Sequence, residues 1–181
     1  MPVDTRLTYD DFCLLPDDGK RREIIEGELF VTPSPQTPHQ RVVIRLAVHL
    51  WQFVDSYKLG EVFSAPFDVV FSEFDVVEPD LIYISNARAN ILTDKNVQGA
   101  PDLVVEVLSE STARVDRSFK LKLYEKFGVL EYWIIDPEGP AGEIYRRGEK
   151  GLELAAKLPA TDALTSPLFP GFSLPLRRLI E

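Results

Sequence analysis

The chain has 181 residues, enough for one domain with a proper core, and its 45% hydrophobic and 27% charged content is that of an ordinary globular protein. Its 20 lysines and arginines against 29 acids leave a net charge of −9, which excludes a protein that coats nucleic acid non-specifically, since such binding needs clustered cations. The single cysteine, Cys13, excludes an internal disulfide and a cysteine-rich zinc site.

No run approaches the roughly 20 apolar residues of a membrane span, and no signal pattern opens the sequence. We therefore expect a cytoplasmic protein without a membrane partner, folded as one domain over residues 1–181. Leu7 to Phe12 predicts a short helix with Thr8 as N-cap and Asp11 closing a capping box. Lys20, Arg21 and Arg22 read as a basic turn, and Glu23 to Val31 as a hairpin turning at Gly27. Prolines at 33, 35 and 38 make a loop. A helix then starts with Thr37 as N-cap, Pro38 at the first position and Gln40 completing the box, and runs to about Tyr57. Val42, Val43, Leu46, Leu50, Trp51, Phe53 and Val54 make it apolar on most sides, so it is buried or forms a dimer interface.

Val62 to Phe71 reads as one or two strands, with Pro66 marking an edge or a break, Leu81 to Ile84 as a strand, and Asn86 to Gly99 as short helix and loop. Strand Asp102 to Leu108, helix Thr112 to Phe127 and strand Glu131 to Ile135 form a compact crossover unit, which predicts a parallel pair. The stripe Val115, Phe119, Leu123, Phe127 should bury that helix. Glu143 to Arg147 and Leu152 to Lys157 suggest a final hairpin, followed by a docked loop around Phe169 to Leu174. The expected fold is α/β, a mixed central β-sheet flanked by helices.

Two apolar strands carry acids that a hydrophobic layer would normally exclude. Asp80 opens Leu81-Ile82-Tyr83-Ile84, and Glu106 lies inside Val104-Val105-Glu106-Val107-Leu108. A lone buried carboxylate costs several kcal/mol unless paired, protonated or bound to a cation. Acids 106 − 80 = 26 residues apart on neighbouring strands can converge, and a hard divalent cation relieves their repulsion. Asp116, Lys120 and Tyr124 share one helix face at spacing four, so a lysine can be aimed at that pair. Cation, positioned water and cationic stabiliser are the parts of metal-assisted phosphodiester cleavage.

The runs LTYDDF, EIIEGELF, SPQTPHQRVV, GEVFSAPFDVVF, EPDLIYIS, GAPDLVVEVLSESTARVD, KLKLYEKFGVLEYWIIDP and FPGFSL resemble the putative restriction endonuclease-like family of the PD-(D/E)XK nuclease superfamily, from about Leu7 to Leu176. The resemblance implies a restriction-endonuclease-like core, Mg²⁺ (or Mn²⁺) as cofactor, nucleic acid, DNA above all, as substrate, and a homodimer. By position Asp80 and Glu106 match the two motif acids, and the carbonyl of Val107 matches a further metal ligand. Leu108 stands where the superfamily has its lysine; the resemblance moves that role to the following helix, at Lys120, with Lys122 as fallback. Lys120 shares the face of Asp116, whereas Lys122 points about 200° further round. Glu23, Glu28, His39 and Gln40 match family positions at the edge of the site.

Ordinary readings compete with each assignment. Asp80 suits a turn cap, Glu106 a buried ion pair with lysine or arginine, Lys120 a solvated helix, His39 a capping residue and Asp102 a strand cap. Arg114, Arg117, Lys122 and Lys126 form either a basic face for phosphates or a solvated one. At the level of function, the alternatives to a nuclease are an idle fold that binds nucleic acid or dimerises, and a two-carboxylate glycosidase, which the adjoining lysine disfavours.

Overall fold

The computed structural model describes residues 6–16, 18–139 and 141–181. Its elements begin with helix α1 (Tyr9–Cys13), strands β1 (Arg21–Ile25) and β2 (Glu28–Thr32), and helix α2 (Thr37–Ser56). Strands β3 (Gly60–Ser64), β4 (Val69–Ser72), β5 (Asp75–Val77) and β6 (Leu81–Ser85), a 3-10 turn (Asn86–Ile91), β7 (Val97–Gln98) and β8 (Leu103–Val107) follow. Next comes a helix in three pieces: α3 (Ala113–Val115), a π turn (Asp116–Lys120) and α4 (Leu121–Phe127). The chain closes with β9 (Glu131–Ile135), β10 (Gly142–Gly148), β11 (Gly151–Leu158), β12 (Ala163–Leu164), β13 (Leu174–Pro175) and α5 (Arg177–Ile180).

The expected mixed sheet is present as six strands ordered β11-β10-β9-β8-β6-β3, with β8 and β9 parallel and the other neighbours antiparallel. A second, five-stranded sheet, β2-β1-β5-β4-β7, packs beside it, an element that single-strand patterns do not reveal because it depends on which strands pair. Alternation sorts the central strands between two cores. Leu81, Tyr83, Leu103, Val105 and Val107 join Val42, Leu46, Leu50 and Val54 of α2 and the C-terminal Phe169 and Phe172. Ile82, Ile84, Val104 and Leu108 join Leu123 and Tyr124 of α4 and Ile25 of β1.

Local chemistry explains most boundaries. Thr8 and Asp11 form the reciprocal capping box of α1. Glu26 and Gly27 both take positive φ, 54° and 81°, the pairing that joins two strands through a tight hairpin. Gly60 begins edge strand β3 opposite Ser85, at a φ of 154°, and an added Cβ would stand 2.1 Å from the Ile84 carbonyl oxygen. Backbone cannot give way cheaply there, so Gly60→Ala should lose about 1–3 kcal/mol in denaturant melts; an unchanged midpoint would disprove this close approach.

Several expectations are corrected. The N-cap of α2 is Gln36, not Thr37, without a side-chain cap; Thr37 and Pro38 lie inside the first turn. Lys20 to Arg22 is no basic turn, because Arg21 and Arg22 already belong to β1. The 86–99 segment contains the short strand β7, which pairs in parallel with β4. Of the stripe Val115, Phe119, Leu123 and Phe127, Leu123 is buried and Val115 and Phe127 pack against the second core, but Phe119 is 41% exposed, and Asp116, Lys120 and Tyr124 beside the stripe are buried as well. Tertiary pairing widens the buried face beyond the apolar stripe, since Lys120 meets Glu106 of β8 and Glu23 of β1. Trp51, at 57% exposed, lies with Ile44 and Val48 on the outer side of α2 rather than in the core.

Candidate active site

Asp80 and Glu106 owe their meeting to strand register. Leu81 faces Val105 in the antiparallel β6–β8 pair, and one step further sets Asp80 opposite Glu106 on the same face. Like charges in that position repel, so the surrounding donors matter. Asp80 Oδ2 accepts the Val107 N–H at 2.8 Å and lies 3.1 Å from His39 Nε2, while Oδ1 accepts Arg21 Nη1 at 2.8 Å. Glu106 Oε1 accepts Lys120 Nζ at 2.9 Å and the Tyr124 hydroxyl at 2.8 Å. Its Oε2 lies 3.9 Å from Arg21 Nη2.

Lys120 is held on three sides, by Glu106 Oε1 and Glu23 Oε1, each at 2.9 Å, and by Asp116 Oδ1 at 3.5 Å. The π turn supplies Asp116 and Lys120, and the buried Tyr132 hydroxyl donates to the Asp116 carbonyl oxygen at 3.1 Å. Wide turns of this kind free a carbonyl from the helical ladder, and they recur at functional sites. Glu23 Oε1 also accepts the Glu78 N–H at 2.9 Å, which fastens β1 to the approach to β6.

The electrostatics are unbalanced. Buried Glu23, Asp80, Glu106 and Asp116 face two permanent cations, Lys120 and Arg21, a formal sum of 2 − 4 = −2. Burial pushes the Asp80 carboxyl up, but the His39 hydrogen bond, the Arg21 guanidinium and the Val107 N–H together hold it down at about 2. Burial pushes Glu106 up to about 8, against the pull of Lys120 and with the help of Asp116, Asp80 and Glu23. Burial also opposes the Lys120 ammonium, yet the carboxylates of Glu106, Glu23 and Asp116 keep it charged. The excess of acids over cations is therefore relieved by protonation at Glu106, where burial disfavours the ionised form.

A cleft of about 410 Å³ opens over this cluster, lined among others by Arg21, His39, Asp80, Glu106, Val107 and Asp116. Other sequence candidates lie elsewhere. Lys122, Glu28 and Gln40 are exposed, and none of them lines the cleft. Asp102 caps the neighbouring strand end, accepting the Ser85 N–H at 2.7 Å. The supposed basic helix face is partly neutralised, Arg117 by Glu143 at 2.9 Å and Lys126 by Asp75 at 3.4 Å. Sequence reasoning missed Arg21. Its signal was available in the alternation Arg21, Glu23, Ile25, which puts it on the inner face of β1 with Glu23.

The donors suit a hard cation. Carboxylate oxygens dominate, the charge deficit with Glu106 ionised is that of one divalent ion, and Val107 directs its N–H to Asp80, so its carbonyl lies on the same edge of β8. Among the described residues no group of three or more His, Cys, Asp or Glu is spaced to hold a metal. Carboxylates completed by a main-chain carbonyl, water and substrate are the ligand set a magnesium-type ion accepts.

A family model described as Uma2, "Putative restriction endonuclease", matches residues 9–177. Among solved structures, the crystal structure of a putative nuclease of DUF820 from Anabaena variabilis matches with a TM-score of 0.79, covering 96% of this chain and 97% of that one at 21% identity. At that identity the likeness shows the fold alone. No curated protein matches the sequence. Among the described residues no helix is long and apolar enough to cross a membrane.

Proposed function

The chain belongs to the Uma2 family of putative restriction endonucleases, and on that premise we propose that it is a divalent-metal-dependent nuclease whose site is the Asp80–Glu106–Lys120 cluster. One observation carries this reading: four buried acids face two cations in one cluster, and Asp80, Glu106, Asp116 and Arg21 of that cluster line an open cleft. A purely structural ion-pair network would be expected to balance its charge, because uncompensated buried charge is expensive.

Asp80, Glu106 and the Val107 carbonyl would hold the ion, Mg²⁺ with Mn²⁺ as alternative. Such an ion polarises a phosphoryl oxygen and offsets the charge that develops there. The protein's own groups do the rest. His39 and the Val107 N–H fix the orientation of Asp80, as the supporting hydrogen bonds of a ligand carboxylate must. Tyr124 and Lys120 fix Glu106 through Oε1. Lys120, tethered by Glu23 and Asp116, orients the attacking water and steadies the transition-state charge. DNA as substrate and a homodimer are the finer parts of the proposal; the exposed Ile44, Val48 and Trp51 of α2 are the apolar surface a second copy would cover.

The test is calorimetric titration of Mn²⁺ across pH, paired with cleavage of plasmid and single-stranded substrates. With its carboxyl at about 8, Glu106 holds a proton at neutral pH, and the ion must displace it. Affinity should therefore rise by about tenfold per pH unit and level off above pH 8. Asp80, at about 2, is ionised throughout and adds no slope. Absence of both ion binding and Mg²⁺- or Mn²⁺-dependent cleavage, with oligonucleotide present, would reject the metal-nuclease assignment.

A further inference from the structure

Beside Lys120 the cluster carries a second counter-ion, Arg21. Its Nη1 donates to Asp80 Oδ1 at 2.8 Å, its Nη2 stands 3.9 Å from Glu106 Oε2, and the same Nη2 donates to the Glu78 carbonyl oxygen. The guanidinium thus lies between the two carboxylates that the nuclease reading assigns to the metal. It is not sealed there. Its side chain is 19% exposed, it lines the cleft, and its buried Nε has no hydrogen-bond partner, with Glu78 Oε2 standing 3.7 Å away.

A fixed cation between two metal ligands should weaken metal binding, since it competes for the same negative potential. A guanidinium can, however, exchange one oxyanion for another, because its planar fork pairs in bidentate fashion with carboxylate and phosphate alike. Resting on the nuclease reading, we propose that Arg21 is a displaceable surrogate cation: a divalent ion expels it from the Asp80–Glu106 pair, and the freed guanidinium turns into the cleft to grip a phosphate of the substrate backbone. Metal loading and substrate binding would then be coupled through one side chain on β1. Arg21 is a positioning residue for the carboxylates without metal and a phosphate-binding residue with it.

Two readouts test this without relying on activity. In the unaltered protein, phenylglyoxal labelling of Arg21, followed by peptide mass, should speed up several-fold on addition of Mn²⁺ alone. Arg22 serves as internal control, since it pairs with Asp18 at 2.6 Å outside the cluster. In Arg21→Met, Mn²⁺ affinity should rise by roughly tenfold or more as the competing charge disappears, whereas affinity of the Mn²⁺-loaded protein for a non-cleavable phosphorothioate oligonucleotide should fall by a similar factor. If the variant does not fold, the labelling experiment decides alone. Mn²⁺ binding with unchanged Arg21 labelling, or with weaker or equal affinity in Arg21→Met, would make Arg21 a permanent brace and overturn the displacement while leaving the metal site standing. Failure of both proteins to bind Mn²⁺ would remove the metal reading itself, and the displacement with it.

Discussion

Replacing Lys120 by methionine is expected to cost about 3–5 kcal/mol of folding stability, the range for breaking a buried ion pair by removing one partner. The methionine retains the aliphatic volume but leaves Glu23, Glu106 and Asp116 without the ammonium they share at 2.9, 2.9 and 3.5 Å. Adding Glu23→Gln should restore part of that loss, because one uncompensated charge is then removed. Denaturant melts of the two single variants and the double variant form a cycle that measures the coupling. Additive effects would mean that Glu23 and Lys120 do not act as a pair. Lys122→Met, on the exposed side of the helix, is expected to stay within about 0.5 kcal/mol of the parent.

Glu106→Gln should separate function from stability. The amide keeps an oxygen for Lys120 and Tyr124 but cannot supply an anionic ligand, so Mn²⁺ affinity and cleavage should each fall by about 100-fold or more. Stability should move the other way. A folded-state pKa raised to about 8 means that the native protein favours protonated Glu106; the stability this contributes is complete below the ordinary carboxylate range and is lost as pH rises toward 8. Glutamine stays neutral throughout. The variant should therefore gain on the parent as pH rises, on the order of 1 kcal/mol or more at pH 9, measured as the difference between melts at pH 5 and pH 9. A parent that keeps its full advantage at pH 9 would show that Glu106 is comfortably ionised, and the charge argument for a cation site would fail.

Much of this site was legible along the chain. Asp80 and Glu106 are acids placed in step with apolar strands, and Asp116, Lys120 and Tyr124 recur at the spacing of one helix face. The parallel β8–β9 pair followed from the short crossover between them. Less legible was the direction of that helix. Its apolar stripe included Phe119, which is exposed, while the buried face extends to the charged Asp116 and Lys120, and the π turn between them has no evident composition signal.

Local sequence patterns mark most of the elements and the residue types with chemistry in them, because helix periodicity, strand alternation, turns and caps are encoded within a few neighbouring positions. The tertiary structure alone decided which charges meet. Arg21 looked like part of a basic turn until β1 joined the second sheet and carried it over Asp80 and Glu106. Helix spacing aimed Lys120 at the acid pair, but only the fold set Glu23, 97 positions earlier in the chain (120 − 23), against it. Coulomb energy in a dry interior depends on separations of a few ångströms, and those separations are created by sheet pairing between residues that no local pattern connects.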